Sequence, residues 1–144
     1  MELYSSSAFK IYAAVSAVLM LKLAAIALVQ GALRAMKGPV TNPEDARLMG
    51  NEVGPDSPFV ARLGRVLRNN MESEVPFVLL GLMYAAVNPP MWGMQVYAYT
   101  FLAARLAHNG VYLAGLQPVR TAFWILGTLC VVGLSVQVLL GAFA

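Results

Sequence analysis

At 144 residues, with 59% hydrophobic and only 12% charged side chains, the chain is too apolar for an ordinary soluble domain, in which about a quarter of residues are charged. That length holds one domain, and the single cysteine, Cys130, set in an apolar run, excludes a disulfide framework. The net charge of +3 says little by itself, but its distribution along the chain is informative.

The first helix is expected over about Ser7 to Met36, around an apolar stretch from Ala8 to Leu33. It is too long for a signal-peptide core and lacks a basic region before it, so it reads as a retained membrane helix. Lys22 falls in its middle, where snorkelling to either surface is awkward and an inward-facing role is expected. Gln30 and Arg34 lie toward its end. Lys37-Gly38-Pro39 breaks the helix, and a polar loop follows to about Ser57. Within that loop, Asn42-Pro43-Glu44-Asp45 suggests a turn into a short helical segment, while Gly50, Gly54 and Pro55 keep the rest irregular. Pro58 suits a first helical turn, with Asp56 or Ser57 as the cap.

The second long helix is expected over about 58–87. Its first half is charged, and Arg65, Arg68, Asn69 and Glu72 recur at the spacing that puts them on one helix face. Its second half, Val75 to Val87, is uncharged but shorter than the roughly 20 residues needed to cross a bilayer. Part of the charged stripe must therefore lie at or inside the membrane boundary, where charge is costly unless it faces protein or a polar ligand. Pro76 is expected to kink the helix between the two halves. Asn88-Pro89-Pro90 forms a turn so short that the third helix, about 91–113, returns antiparallel. That helix carries Arg105, His108, Asn109 and Tyr112 at the same spacing as the stripe before it. After a turn at Ala114 to Pro118, a fourth helix runs over about 119–143, with Arg120 and Thr121 in its first turn and apolar residues almost throughout.

The expected architecture is all-α: a single integral-membrane four-helix bundle spanning residues 1–144, with both termini on one side. Arg34, Lys37, Arg47, Arg62, Arg65, Arg68 and Arg120 gather near the first and third loops, whereas only Lys10 lies near the other side. The positive-inside rule places those two loops in the cytoplasm. Both polar stripes, Arg34 and Arg120 thus converge at the cytoplasmic ends of the helices. So many cations in a partly dry region cost several kcal/mol unless an anion enters, and Glu72 neutralises only one. Arg47 and Arg62, at the margin, read as contacts to lipid phosphates. Arg68, Asn69 and Glu72, with Arg105, His108 and Tyr112 at matched depth, read as a ligand site. The polarity stays in one half of the membrane, which argues against a channel lining. One histidine and one apolar cysteine make no metal site, and no phosphate loop, Ser-His-Asp set or basic-aromatic pattern for nucleic acid is present.

Four separated motifs occur in order: Asn42-Pro43-Glu44-Asp45-Ala46; Arg65-x-x-Arg68-Asn69-x-Met71-Glu72 followed by Pro76-Phe77; Arg105-x-Ala107-His108-x-x-x-Tyr112-Leu113; and Pro118-x-Arg120. In these the chain resembles, over nearly its whole length, the superfamily of membrane-associated proteins in eicosanoid and glutathione metabolism. The resemblance implies a homotrimer in the endoplasmic reticulum membrane of a eukaryote, or the inner membrane of a bacterium, with glutathione bound between subunits toward the cytoplasm. It implies that Arg34, Arg65, Arg68, Asn69, Glu72, Arg105, His108, Tyr112, Arg120 and Trp124 bind glutathione. Arg34 and Arg68 would pair with its carboxylates and Glu72 with its ammonium. Arg120 and Thr121 would act at the thiol, Arg120 by favouring the thiolate and Thr121 by donating its hydroxyl. Lys22 and the second-helix stripe are expected at subunit interfaces, because a lone subunit would leave them facing lipid. The prostaglandin synthase pattern of the superfamily has aspartate, serine and tyrosine where Asn70, Thr121 and Trp124 stand here. These departures favour conjugation of lipophilic electrophiles, or hydroperoxide reduction, over prostaglandin isomerisation. A non-catalytic lipid-binding relative would lack the full arginine set, whereas Arg68, Glu72 and Arg120 are all present.

Overall fold

The structure is a computed structural model that describes residues 3–36, 38–87 and 89–143, so Lys37 and Asn88, expected at a helix break and a turn, lie outside the described residues. Five α-helices follow a 3-10 turn at Leu3–Ser5: α1 Ser7–Met36, α2 Pro43–Met49, α3 Pro58–Ala86, α4 Met91–Ala114 and α5 Gln117–Ala142. The short α2 is the segment expected after Asn42. Val40 before it and Val53 after it pair in an isolated parallel bridge that closes the loop around α2, and no strand occurs among the described residues.

Local signals explain the ends. Ser57 Oγ accepts the Val60 N–H at 3.4 Å, so of the two candidate caps Ser57 does the capping and Asp56 is released for another role. Gly115, at φ 78°, ends α4 in the left-handed conformation that costs glycine nothing, and the Leu116 N–H closes back on the Val111 carbonyl at 3.0 Å. Pro118 sits inside the first turn of α5, where its missing N–H would have no helical partner anyway, so α5 starts two residues earlier than expected. α3 stays helical on both sides of Pro76.

α1 packs on α3 and α4, and α5 packs on the same two helices, while α3 and α4 also touch each other. The apolar core lies in the half that holds the uncharged end of α3. It contains Leu19, Phe77, Tyr84, Met94, Ala98, Phe101, Cys130 and Leu134. The Phe77 and Phe101 rings stack with centroids 3.8 Å apart and join α3 to α4 at its centre. α1 and α5 are long and apolar enough to cross a membrane. Their outward faces leave Leu21, Leu28, Leu129, Val132, Leu139 and Leu140 exposed, a surface suited to lipid and unfavourable in water.

Candidate functional site

The two polar stripes have the same spacing but opposite surroundings. On α3, Arg65, Arg68 and Glu72 are exposed. On α4, Arg105, His108 and Asn109 belong to the buried seam that also holds Met94, Ala98 and Phe101. The buried seam of α3 runs through Leu63, Val66, Asn70, Glu74, Phe77, Gly81 and Tyr84, three or four residues apart, so one helix face inserts two polar side chains between apolar ones.

Those polar side chains build a buried layer just above the core. Glu74 is completely buried, and its Oε1 accepts a hydrogen bond from Lys22 Nζ on α1 and lies 3.5 Å from Arg105 Nε on α4. Arg105 is also completely buried, and its Nη2 donates to Asn69 Oδ1 at 2.6 Å and to Asn70 Oδ1 at 2.8 Å. Lys22 therefore finds its countercharge within its own chain. The expectation that it faces lipid in a lone subunit is corrected, because the rotation of α1 turns it onto α3. A buried pair of this kind adds little net stability, but removing one member strands a charge and costs about 3–5 kcal/mol. Sequence reading missed Glu74, since it falls off the exposed stripe. The signal that finds it is its place on the Leu63-Val66-Asn70-Phe77 seam, opposite a mid-helix lysine that needs an anion.

Outside this layer lie two clefts, one on each flank of α3. The α1–α3 cleft, about 660 Å³, is lined by Gln30, Arg34, Asp56, Arg65, Arg68 and Glu72, among others. Arg34 is held there by a two-pronged ion pair, Nε to Asp56 Oδ1 at 2.9 Å and Nη2 to Asp56 Oδ2. Arg65, Arg68 and Glu72 make no ion pair with the described residues. Arg62, one turn nearer the helix start, donates from Nη1 to the Leu113 carbonyl at 2.9 Å and so closes the end of α4.

The second cleft, between α3, α4 and α5, has a volume of about 260 Å³ and is lined by Asn69, His108, Tyr112, Arg120, Thr121 and Trp124. The Arg120 guanidinium lies 4.4 Å above the Tyr112 ring, and His108 meets the same ring edge-on with centroids 5.6 Å apart. Thr121 Oγ donates back to the Gln117 carbonyl at 3.3 Å. Asn69 and Trp124 also border an adjoining, more apolar hollow of about 270 Å³ that includes Pro76, Thr128 and Val131. A cationic, hydrogen-bonding recess thus opens directly onto an apolar one, as a polar nucleophile and a lipophilic acceptor require.

Of the residues expected at the site, Asn69, His108, Tyr112, Arg120, Thr121 and Trp124 come together in this second cleft, and Arg34, Arg65, Arg68 and Glu72 in the first. Glu72 also borders the apolar hollow. Arg105 lies beneath the second cleft and reaches it through Asn69. Among the described residues no cluster of histidine, cysteine or acidic side chains is arranged to hold a metal ion.

A family model, that of the MAPEG family, matches residues 9–140. The chain is similar to prostaglandin E synthase of Homo sapiens, at 33% identity over 137 residues, covering 94% of this chain and 90% of that protein. The prostaglandin E synthase of Equus caballus is 31% identical over 140 residues, covering 96% and 92%. Microsomal glutathione S-transferase 1 of Sus scrofa is 26% identical over 132 residues, covering 88% and 85%.

Proposed function

The chain belongs to the MAPEG family, and from that premise we propose that it is a glutathione-dependent membrane enzyme that turns the glutathione thiolate on lipophilic electrophiles or hydroperoxides. The observation that carries this reading is the cleft of Asn69, His108, Tyr112, Arg120, Thr121 and Trp124 opening onto the apolar hollow beside Pro76 and Val131. Glutathione is a substrate here, with two carboxylates, an ammonium and a thiol to satisfy. Arg65 and Arg68, without an ion-pair partner among the described residues, present forks suited to carboxylates, and Glu72 suits the ammonium. Arg34 joins them by exchanging the Asp56 carboxylate for one of the substrate's.

A free thiol is only a few per cent ionised at neutral pH. Arg120 stands in the first turn of α5, so its charge and the positive end of that helix act on one sulfur. In conjugation the sulfur bonds to an electrophilic carbon, and the leaving group departs with the electron pair. In hydroperoxide reduction the sulfur attacks the terminal peroxide oxygen, an alcohol leaves, and a second glutathione releases water and glutathione disulfide. The apolar hollow would hold the acceptor within reach from the lipid side. The likeness to named prostaglandin E synthases favours one further activity, glutathione-dependent isomerisation of a lipid endoperoxide. Thr121 and Trp124 would occupy the places nearest that chemistry.

The two clefts lie on opposite flanks of α3. A homotrimer that sets the α1–α3 cleft of one subunit against the α3–α5 cleft of its neighbour would join them into one site. It would also remove the exposed Arg65, Arg68 and Glu72 from lipid. The excess of basic residues at that end supports an orientation with the site toward the cytoplasm. Titration calorimetry of the detergent-solubilised protein should show saturable glutathione binding, and a panel of electrophiles and hydroperoxides with glutathione as fixed cosubstrate should show turnover. A folded protein that binds no glutathione at millimolar concentration would overturn the reading.

A further inference from the structure

We propose that Glu74, which touches neither cleft, positions Asn69 for substrate by holding Arg105 against it. The proposal rests on reading the second cleft as the glutathione site. A guanidinium has donors only, so Arg105 Nη2 can meet Asn69 at 2.6 Å and Asn70 at 2.8 Å only through their carbonyl oxygens. With its oxygen engaged from below, Asn69 presents its amide nitrogen to the clefts it lines. It acts there as a donor, matched to a carboxylate or carbonyl oxygen of the substrate. The orientation lasts only while Arg105 stays in place. Glu74 holds it there, as the anion 3.5 Å from Arg105 Nε that also binds Lys22. Without that carboxylate two cations face each other in a dry layer, and the guanidinium is driven toward the wetter cleft, where it turns Asn69 away.

The alternative anchor is on the same seam. Asn70 Oδ1 already lies 2.8 Å from Arg105 Nη2, so a carboxylate at position 70 restores the countercharge one helical turn from where it was lost. The experiment measures the glutathione dissociation constant by calorimetry for five proteins: wild type, E74Q, the double variant N70D/E74Q, N69A and N69A/E74Q. E74Q should bind about tenfold more weakly, the loss of one hydrogen bond to a charged group. N70D/E74Q should return to within about twofold to threefold of wild type, and E74Q should cost nothing further once Asn69 is alanine. Wild-type affinity in folded E74Q would overturn the proposal, and so would an undiminished loss from E74Q in the N69A background, which marks a general structural effect. If E74Q fails to fold, N70D/E74Q decides: affinity near wild type supports the proposal, and a folded but weakly binding protein overturns it. Absence of glutathione binding in wild type is a different failure, since it removes the reading of the cleft itself.

Discussion

Replacing Arg120 with alanine should raise the pH at which bound glutathione ionises. The guanidinium is fixed over the Tyr112 ring at 4.4 Å and lines a recess of about 260 Å³, so a sulfur placed there sits close to it. Two unit charges about 4 Å apart at an effective dielectric near 20 attract by about 4 kcal/mol. Arg120 is half-buried, so screening by water and counterions reduces this to roughly 1.4–2.7 kcal/mol, or one to two pH units. The thiolate's ultraviolet absorbance follows the titration directly in the complex. Wild type should show thiolate at neutral pH, and R120A should require the higher range. R120K should recover part of the shift, since the charge survives while the planar stack on Tyr112 is lost. Turnover in R120A should fall more than glutathione affinity, because the interaction is strongest with the reacting thiolate. An unchanged thiolate titration in R120A that still binds glutathione would refute the reasoning and move activation to Thr121 or to a neighbouring subunit.

R68A should weaken glutathione binding by about 1.5–3 kcal/mol, the scale of a charge-assisted hydrogen bond, as read by calorimetry. R62A should leave that affinity nearly unchanged and lower thermal stability by about 1 kcal/mol instead, because Arg62 is committed to the Leu113 carbonyl; equal losses of affinity would mean a diffuse field and not a site. Native mass spectrometry from detergent should report a trimer, and a stable monomer that still binds glutathione would sink the proposed pairing of clefts. F101A should destabilise the fold by about 3–5 kcal/mol in thermal unfolding, since Phe101 is completely buried and stacked on Phe77.

Much of this molecule was legible along the chain because the signals are local. Pro43, Pro58 and Pro118 open helices, and Gly50 and Gly115 close two of them. Apolar length marks α1 and α5. Periodicity also places Arg65, Arg68 and Glu72 on one face of α3, since the angle between two residues on a helix depends only on their separation. What periodicity leaves open is how each helix is rotated and at what depth it meets its neighbours. Packing decided that. It turned the α3 stripe outward and the identically spaced Arg105 and His108 inward, and it divided the expected binding residues between two clefts. It also paired Arg34 with Asp56 and brought Glu74 to Lys22 and Arg105, across 52 residues on one side and 31 on the other. A buried charge accepts only an arrangement that supplies its countercharge, and that condition is met between helices, in three dimensions.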